Sequence, residues 1–340
     1  MKKFHKITRN INKLILVFLF LFYTNQAYPT EYLRYVNPAK YKIKHTAIVT
    51  NYDVDTLSTL EIALPIPTDW PEVAIRDVRY IKSGCVELTN IEGPGKLLRS
   101  FYDSNLPKNG ETKSIKLVYI AIVKEIRAEK ALLEKKEYPA YKIDDKYNYY
   151  TRNELMVECN DASIRKVADE IKQKTNNPYK FARLAYEYVV DNIVYTSPSP
   201  AWTAQECIKT KKGACGQQAA LFVAICRAGG IPARPVAGSW CEGDNQWHCW
   251  AEFLLPGVGW IPADPSVGGR GAKEREYYFG NLDNNHLALM KCFNSRYDCD
   301  KGAKEVGFTQ IGYWLWFCSG QSKGNNITSE FKLHGEKSKN

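Results

Sequence analysis

Between about Tyr32 and Asn153, apolar and polar positions alternate with a period of two. Leu60, Ile62, Leu64 and Ile66 are interleaved with Glu61, Ala63 and Pro65, and Ile115, Leu117, Tyr119, Ala121 and Val123 keep the same rhythm. Alternation of this kind sets every second side chain on one face of a strand. Turn-forming clusters such as Pro107-Lys108-Asn109-Gly110 bound the runs. Residues 28–155 therefore read as a small β-sandwich. Glu125 to Lys136, rich in Glu, Lys, Ala and Leu, is the expected helical exception.

After Asn160 the period lengthens. Ile164, Val167, Ala168 and Ile171 recur at helical spacing behind the capping candidates Asp161 and Ser163, which predicts a helix to about Lys174. A second helix is expected from Pro178, a residue suited to the first turn, to about Asn192, with Phe181, Leu184, Ala185, Tyr188 and Val189 on its apolar face. A short helix over Thr203 to Lys209 follows the turn-rich Ser197-Pro198-Ser199-Pro200. Residues 160–318 thus make a second, α+β unit. The segment 320–340 has too few apolar residues to fold alone and reads as a polar, flexible tail.

The first residues differ from all of this. A basic stretch with Lys2, Lys3, Lys6, Arg9 and Lys13 precedes the unbroken apolar run Leu14 to Tyr23 and the polar segment Thr24 to Ala27. That is the pattern of a signal peptide cleaved near Ala27, and ten apolar residues are too few to span a bilayer. The expectation is an exported protein, periplasmic or extracellular, without stable membrane insertion. The leader carries five of the 47 Lys and Arg and none of the 37 Asp and Glu, so the mature chain holds 42 basic against 37 acidic residues. With no concentrated basic and aromatic stretch, nucleic acid is not an expected partner. Ten cysteines in an exported chain suggest disulfides. A zinc site is the competing use, but Cys207, Cys215, Cys226, Cys241 and Cys249 form no C-x-x-C knuckle.

One of these cysteines has a different setting. In Gly213 to Pro232, the residues Ala219, Phe222, Val223 and Cys226 form a helical stripe that Gly229 and Pro232 end. Cys215 then falls at the first turn, where free N–H groups and the helix dipole favour a thiolate. Cys226 suits an inert core position. Downstream, Gln246 to Phe253 reads as a strand and Gly259 to Pro265 as its partner, joined by Pro256-Gly257-Val258-Gly259. In a hairpin centred on Pro256, His248 and Asp264 lie equally far from the turn and face each other, close enough for a carboxylate to accept from the imidazole. A histidine oriented in this way can take a thiol proton. A second hairpin, centred on Asn245, would set Cys241 opposite Cys249 for a cross-strand disulfide, with Cys249 turned away from the face of His248.

The segments Gly213 to Pro232, His248 to Glu252 and Gly259 to Asp264 resemble the core of the transglutaminase-like superfamily. Asn177-Pro178-Tyr179 and Tyr278 to Asp283 are similar to flanking segments of secreted bacterial members, so the likeness covers roughly residues 160–300. It implies a papain-like catalytic domain in which a helix bears the nucleophile and a sheet the other two residues. Cys215, His248 and Asp264 would be its catalytic triad, acting on a protein or peptide amide without metal or organic cofactor. Gln217 departs from the acidic residue common in bacterial relatives. Cys215 N–H is the natural first oxyanion donor, with Trp202 and Gln205 as candidates for the second. Hydrolysis and transamidation both fit, as amidase, peptidase or acyltransferase. A rival reading is a binding or scaffolding protein that retains the fold without activity.

Overall fold

The alternating runs fold as strands because each offers a continuous apolar face that only a second layer can cover. In the computed structural model, which describes residues 31–338 other than 53–56, 83–84, 91–94, 103, 105, 300–301, 308–312 and 319–326, they lie within β1 (Leu33–Asn51), β2 (Leu57–Ile66), β3 (Val73–Lys82), β4 (Cys85–Asn90), β5 (Lys96–Tyr102) and β6 (Thr112–Ala128). A mainly helical stretch follows: α1 (Lys130–Lys135), α2 (Asp145–Thr151), α3 (Ala162–Lys172), α4 (Pro178–Asn192), β7 (Val194–Tyr195), α5 (Ala204–Thr210), β8 (Lys212–Gly213) and α6 (Cys215–Ala228). Then come β9 (Ala233–Trp240), β10 (Gly243–Asp244), β11 (Trp247–Leu255), β12 (Gly259–Ala263), α7 (Pro265–Gly268), α8 (Ala272–Tyr277) and β13 (His286–Met290). The last elements are β14 (Asn294–Cys299), β15 (Gly302–Gly307), β16 (Tyr313–Cys318) and β17 (Ile327–Lys337). The expected signal peptide, residues 1–27, lies outside the described residues. Among the described residues, no helix is long and apolar enough to cross a membrane.

Two sheets, β10-β17-β1-β6-β3 and β16-β2-β5-β4, make the β unit. Tyr41, Ile43, Ala47 and Val49 of β1, Leu117 and Tyr119 of β6, and Leu60, Ile62 and Leu64 of β2 are buried in one cluster. Glu61 is buried as well, held by two hydrogen bonds from Arg99 at 3.0 and 2.9 Å. A charge removed from water in this way needs a matched partner, and the guanidinium fork supplies one.

The helices begin where side chains can satisfy free backbone N–H groups. Asp161 accepts from Ser163 and Ile164, Asn177 from Tyr179 and Lys180, and Thr203 from Glu206. α1 is shorter than the expected helix, because β6 runs on to Ala128 while Ile126 and Leu282 exchange backbone hydrogen bonds of 2.8 and 3.0 Å. α2 was not expected. It is a short helix whose start is capped by Asp144.

The C-terminal segment differs most from its expectation. Residues 327–337, expected within a flexible tail, pair with β1 from Tyr41↔Lys337 to Asn51↔Ile327. Few apolar residues are needed here, because β1 supplies the hydrogen bonds and Leu333 alone reaches complete burial. Gly335 passes against the Cys241 carbonyl, where any side chain would collide. β16 likewise pairs with β2. The β unit is therefore built from both ends of the described chain and is not confined to residues 28–155.

The third sheet, β12-β11-β9-β13, carries α6 on one face. A buried ion cluster ties it to the β unit: Lys291 Nζ lies 2.5 Å from Glu72 and 2.7 Å from Glu252, and Arg234 lies 2.6 Å from Glu252. Truncating Leu333 to Ala is expected to lower stability by about 3 kcal/mol, whereas the exposed Lys332→Ala should change it by less than about 0.5 kcal/mol. Urea denaturation checks this, and equal, negligible losses would contradict a paired terminal strand.

Candidate active site

α6 is buried nearly all round because α3, α4 and α5 pack on it from one side and β9 and β11 from the other. Its first turn is the part that emerges, and there Cys215 is half-buried. Gln217 braces that turn locally, since its Oε1 accepts from the Ala214 N–H at 3.2 Å, while Gln218 Nε2 donates to the Gly213 carbonyl at 3.3 Å. These bonds fix the turn that presents the sulfur.

His248 lies on β11 opposite Gly238. A side chain at Gly238 would run into the Trp250 ring and the Leu287 carbonyl. Trp240 covers the His248 ring, stacked at 4.5 Å between centroids with 17° between planes. His248 Nε2 is 2.6 Å from Asp264 Oδ2, which leaves Nδ1 for its hydrogen bond with the Cys215 sulfur.

The hairpin that carries this contact is not centred where the sequence suggested. Leu255 pairs with Gly259 and Ala251 with Ala263, so the centre is Gly257, which adopts φ +69°. His248 and Asp264 are therefore diagonal rather than opposite, and the ladder ends one residue before Asp264. A shift of two positions preserves the face, so the side chains still meet. Asp264 also caps α7, with Oδ1 accepting from the Ser266 N–H, the Ser266 hydroxyl and the Val267 N–H at 3.1, 2.9 and 3.1 Å. It is both a turn former and the partner of His248.

The second hairpin departs further from expectation. β9 and β11 pair Trp247 with Ser239 and Cys249 with Ala237, so Cys241 lies beyond the ladder and does not face Cys249. The residues between them are drawn aside by β10, which pairs with β17. The expected Cys241–Cys249 bridge is absent, and Cys159, Cys207, Cys215, Cys226, Cys241, Cys249 and Cys292 are all unbridged. Cys249 instead packs beside Cys215, and its thiol hydrogen-bonds to the Cys215 sulfur.

The electrostatics follow from these contacts. The Cys249 hydrogen bond, opposed by burial but joined by the hydrogen bond and charge of His248, pulls the Cys215 thiol well below its ordinary value. Burial disfavours a charged His248, yet the Asp264 carboxylate overrides it and raises the ring to about 10. Burial would keep Asp264 protonated, but the charge and hydrogen bonds of His248 and His286 hold it far below the usual carboxylate range. Cys226 is the opposite case: complete burial pushes its thiol upward. The arrangement favours a thiolate and an imidazolium side by side.

Of the two candidates for a second oxyanion donor, Gln205 is engaged with Asp161 at 2.6 Å, and Trp202 is 73% exposed. Sequence reasoning missed Cys249, Trp240, Asp283 and His286 as neighbours of the site. Only the adjacency of Cys249 to His248 and the spacing Asp283-x-x-His286 could have pointed to them. His248, Asp264 and His286 present ligand atoms within 4.8 Å of one another, the sole such group of three among the described residues. Those atoms already meet in hydrogen bonds between the three side chains.

Comparison with known proteins places this geometry. The chain is 29% identical over 132 residues to an uncharacterized protein of Haemophilus influenzae and 31% identical over 119 residues to a protein-glutamine gamma-glutamyltransferase of Pseudomonas aeruginosa. The first match covers 31% of this chain and 36% of the relative, the second 30% and 18%, so the chain spans about a third or less of either relative's length. In fold it is similar to a Cytophaga hutchinsonii protein provisionally described as a cysteine protease, with a TM-score of 0.58, 17% identity and coverage of 89% of this chain and 100% of that one. The α+β, papain-like arrangement behind a β-sheet unit agrees with the expected fold class. Residues 165–265 match the family model of the transglutaminase-like superfamily, so the chain carries a transglutaminase-like core.

Proposed function

We propose that the protein is an exported thiol enzyme that transfers the acyl group of a protein or peptide amide through Cys215, His248 and Asp264. The observation that carries this reading is the contact chain from a half-buried cysteine at a helix start, through His248, to a fully buried carboxylate. The Cys215 thiolate attacks the amide carbonyl carbon, and its backbone N–H faces the developing oxyanion. His248 gives its proton to the departing nitrogen as the carbon–nitrogen bond breaks, leaving a thioester. Water or an amine then attacks, His248 takes its proton, and the thiolate departs. Asp264 holds the ring and stabilises its charge throughout.

The name of the Pseudomonas relative denotes transfer of a glutamyl group and that of the Cytophaga neighbour proteolysis, and the two reactions differ in the acceptor. Water is the acceptor proposed here, giving an amidase or peptidase, with transamidation as the other outcome of the assay. The leader pattern of residues 1–27 supports export, so the substrate is an extracytoplasmic protein or peptide. A scaffold would not require a thiol, an imidazole and a carboxylate in this order, which favours the enzyme over the binding reading.

Two measurements test the proposal. Cys215→Ala should abolish ammonia release from a glutamine-containing peptide, peptide cleavage and amine incorporation alike, a loss of about a thousandfold or more, with little change in melting temperature. Cys226→Ala should keep activity while costing about 1–2 kcal/mol of stability through lost packing. Turnover that survives in Cys215→Ala would overturn the reading.

The second measurement is the pH dependence of Cys215 alkylation by iodoacetamide. Its sulfur should react at about pH 6, where a free thiol near 8.5 is almost wholly protonated. In His248→Ala the midpoint should rise to the ordinary thiol range or above. Activity should climb as the thiolate forms, stay high while His248 keeps its proton, and fall as pH passes about 10. A wild-type alkylation midpoint near 8.5 would contradict the ion pair.

A further inference from the structure

His286 is a buried titratable group that the proposed mechanism does not use. It opens β13, is 1% exposed, and stands on the far side of Asp264 from the nucleophile. Its Nε2 is 3.4 Å from Asp264 Oδ2, the same oxygen that meets His248 at 2.6 Å. Its Nδ1 is 2.8 Å from Asp283 Oδ1. Asp283 is itself held, by the Tyr278 hydroxyl at 2.6 Å and the Asn285 N–H at 2.8 Å. Trp240 packs against both histidines, with centroid distances of 4.5 Å to His248 and 4.3 Å to His286, and Trp250 meets His286 edge-on at 5.2 Å. The side chains thus form one chain, Asp283–His286–Asp264–His248, with indole walls and no exposed member at the Asp264 end.

We infer that His286 is a positioning residue: clamped between two carboxylates, it fixes the Asp264 oxygen against His248 and offsets part of the negative charge that His248 feels. This rests on the proposed catalytic reading of Cys215, His248 and Asp264. An ionised carboxylate accepts hydrogen bonds and has no proton to give. Burial favours protonated Asp283, but the hydrogen bond from His286 outweighs it and holds the carboxyl at about 2, while Asp264 is held lower still. The His286 ring therefore meets one such carboxylate at each of its nitrogens. The charged and titratable groups that face it are Asp264 from the end of β12, Asp283 and Tyr278 from the preceding loop, and His248 from β11.

The sign of the effect follows. With His286 in place, Asp264 divides its charge between two rings. Removing that second ring leaves the whole carboxylate to His248, which then holds its proton to higher pH. Proton return from His248 to a leaving nitrogen becomes harder, so turnover falls while substrate binding does not.

The test begins with the unaltered protein, labelled with nitrogen-15 at histidine. The His248 ring shifts should titrate near pH 10 and move to higher pH in His286→Gln, and no movement of that midpoint would overturn the inference. In His286→Gln, the alkaline limb of the activity profile should move up by about one pH unit, with kcat about tenfold lower and KM unchanged. A fall in kcat and a melting temperature change with no movement of the limb would reduce His286 to a packing residue. Asp283→Asn supplies a milder variant, expected to move the limb in the same direction, should His286→Gln fold poorly. If Cys215→Ala keeps amide turnover, the catalytic reading fails by itself, while the His248 nitrogen shifts in His286→Gln still decide whether His286 positions Asp264.

Discussion

The Asp264 carboxylate is the constraint around which the α+β unit is arranged. It is fully buried, and an unpaired carboxylate in such surroundings would take up a proton rather than remain charged. Five donors prevent that: two backbone N–H groups and a hydroxyl from the start of α7, and two imidazole rings. The oxygens divide the work. Oδ1 builds the turn that ends β12, and Oδ2 orders the histidines. Because local folding and the site draw on one carboxylate, the short helix after Asp264 and the orientation of His248 stand or fall together.

Much of this site was legible in the sequence, for a physical reason. Cys215 could be placed because a helix start has a local signature, an apolar stripe behind it and a glycine stop ahead. His248 and Asp264 could be paired because strand parity survives a misjudged turn: moving the hairpin centre from Pro256 to Gly257 changes partners but not faces. The Cys241–Cys249 bridge failed where parity gives no protection, since the loop between them pairs with a strand about ninety positions downstream, as in Asp244 with His334. For Cys249 beside Cys215 the sequence offered only its adjacency to His248, because which face of β11 meets α6 is decided by packing and not by period. The helices at 162–172 and 178–192 were read well, since capping and spacing are contained within each segment.

The β unit was legible in kind but not in extent. Alternation identified β2 and β6, yet the sheets they join also take strands from beyond residue 312. A segment of low apolar content such as 327–337 cannot announce a strand, because the hydrogen bonds that order it belong to β1. The buried cluster of Glu72, Lys291, Glu252 and Arg234 illustrates the same limit. Each residue reads as a surface charge in sequence, and only the meeting of the two units makes them a neutralised interior group.

The pairing of Tyr41 with Lys337 has a kinetic meaning. Nearly the whole described chain forms the loop that this contact closes, and closing so long a loop is an entropic cost met late in folding. Until residues 327–337 arrive, one edge of β1 lacks its hydrogen-bonding partner, and bare edges of this kind invite pairing with other chains. Strand closure at β1 thus waits until almost the entire described chain is available. The last strand acts as a clasp, and the interval before it closes is when the chain most needs protection from its own copies.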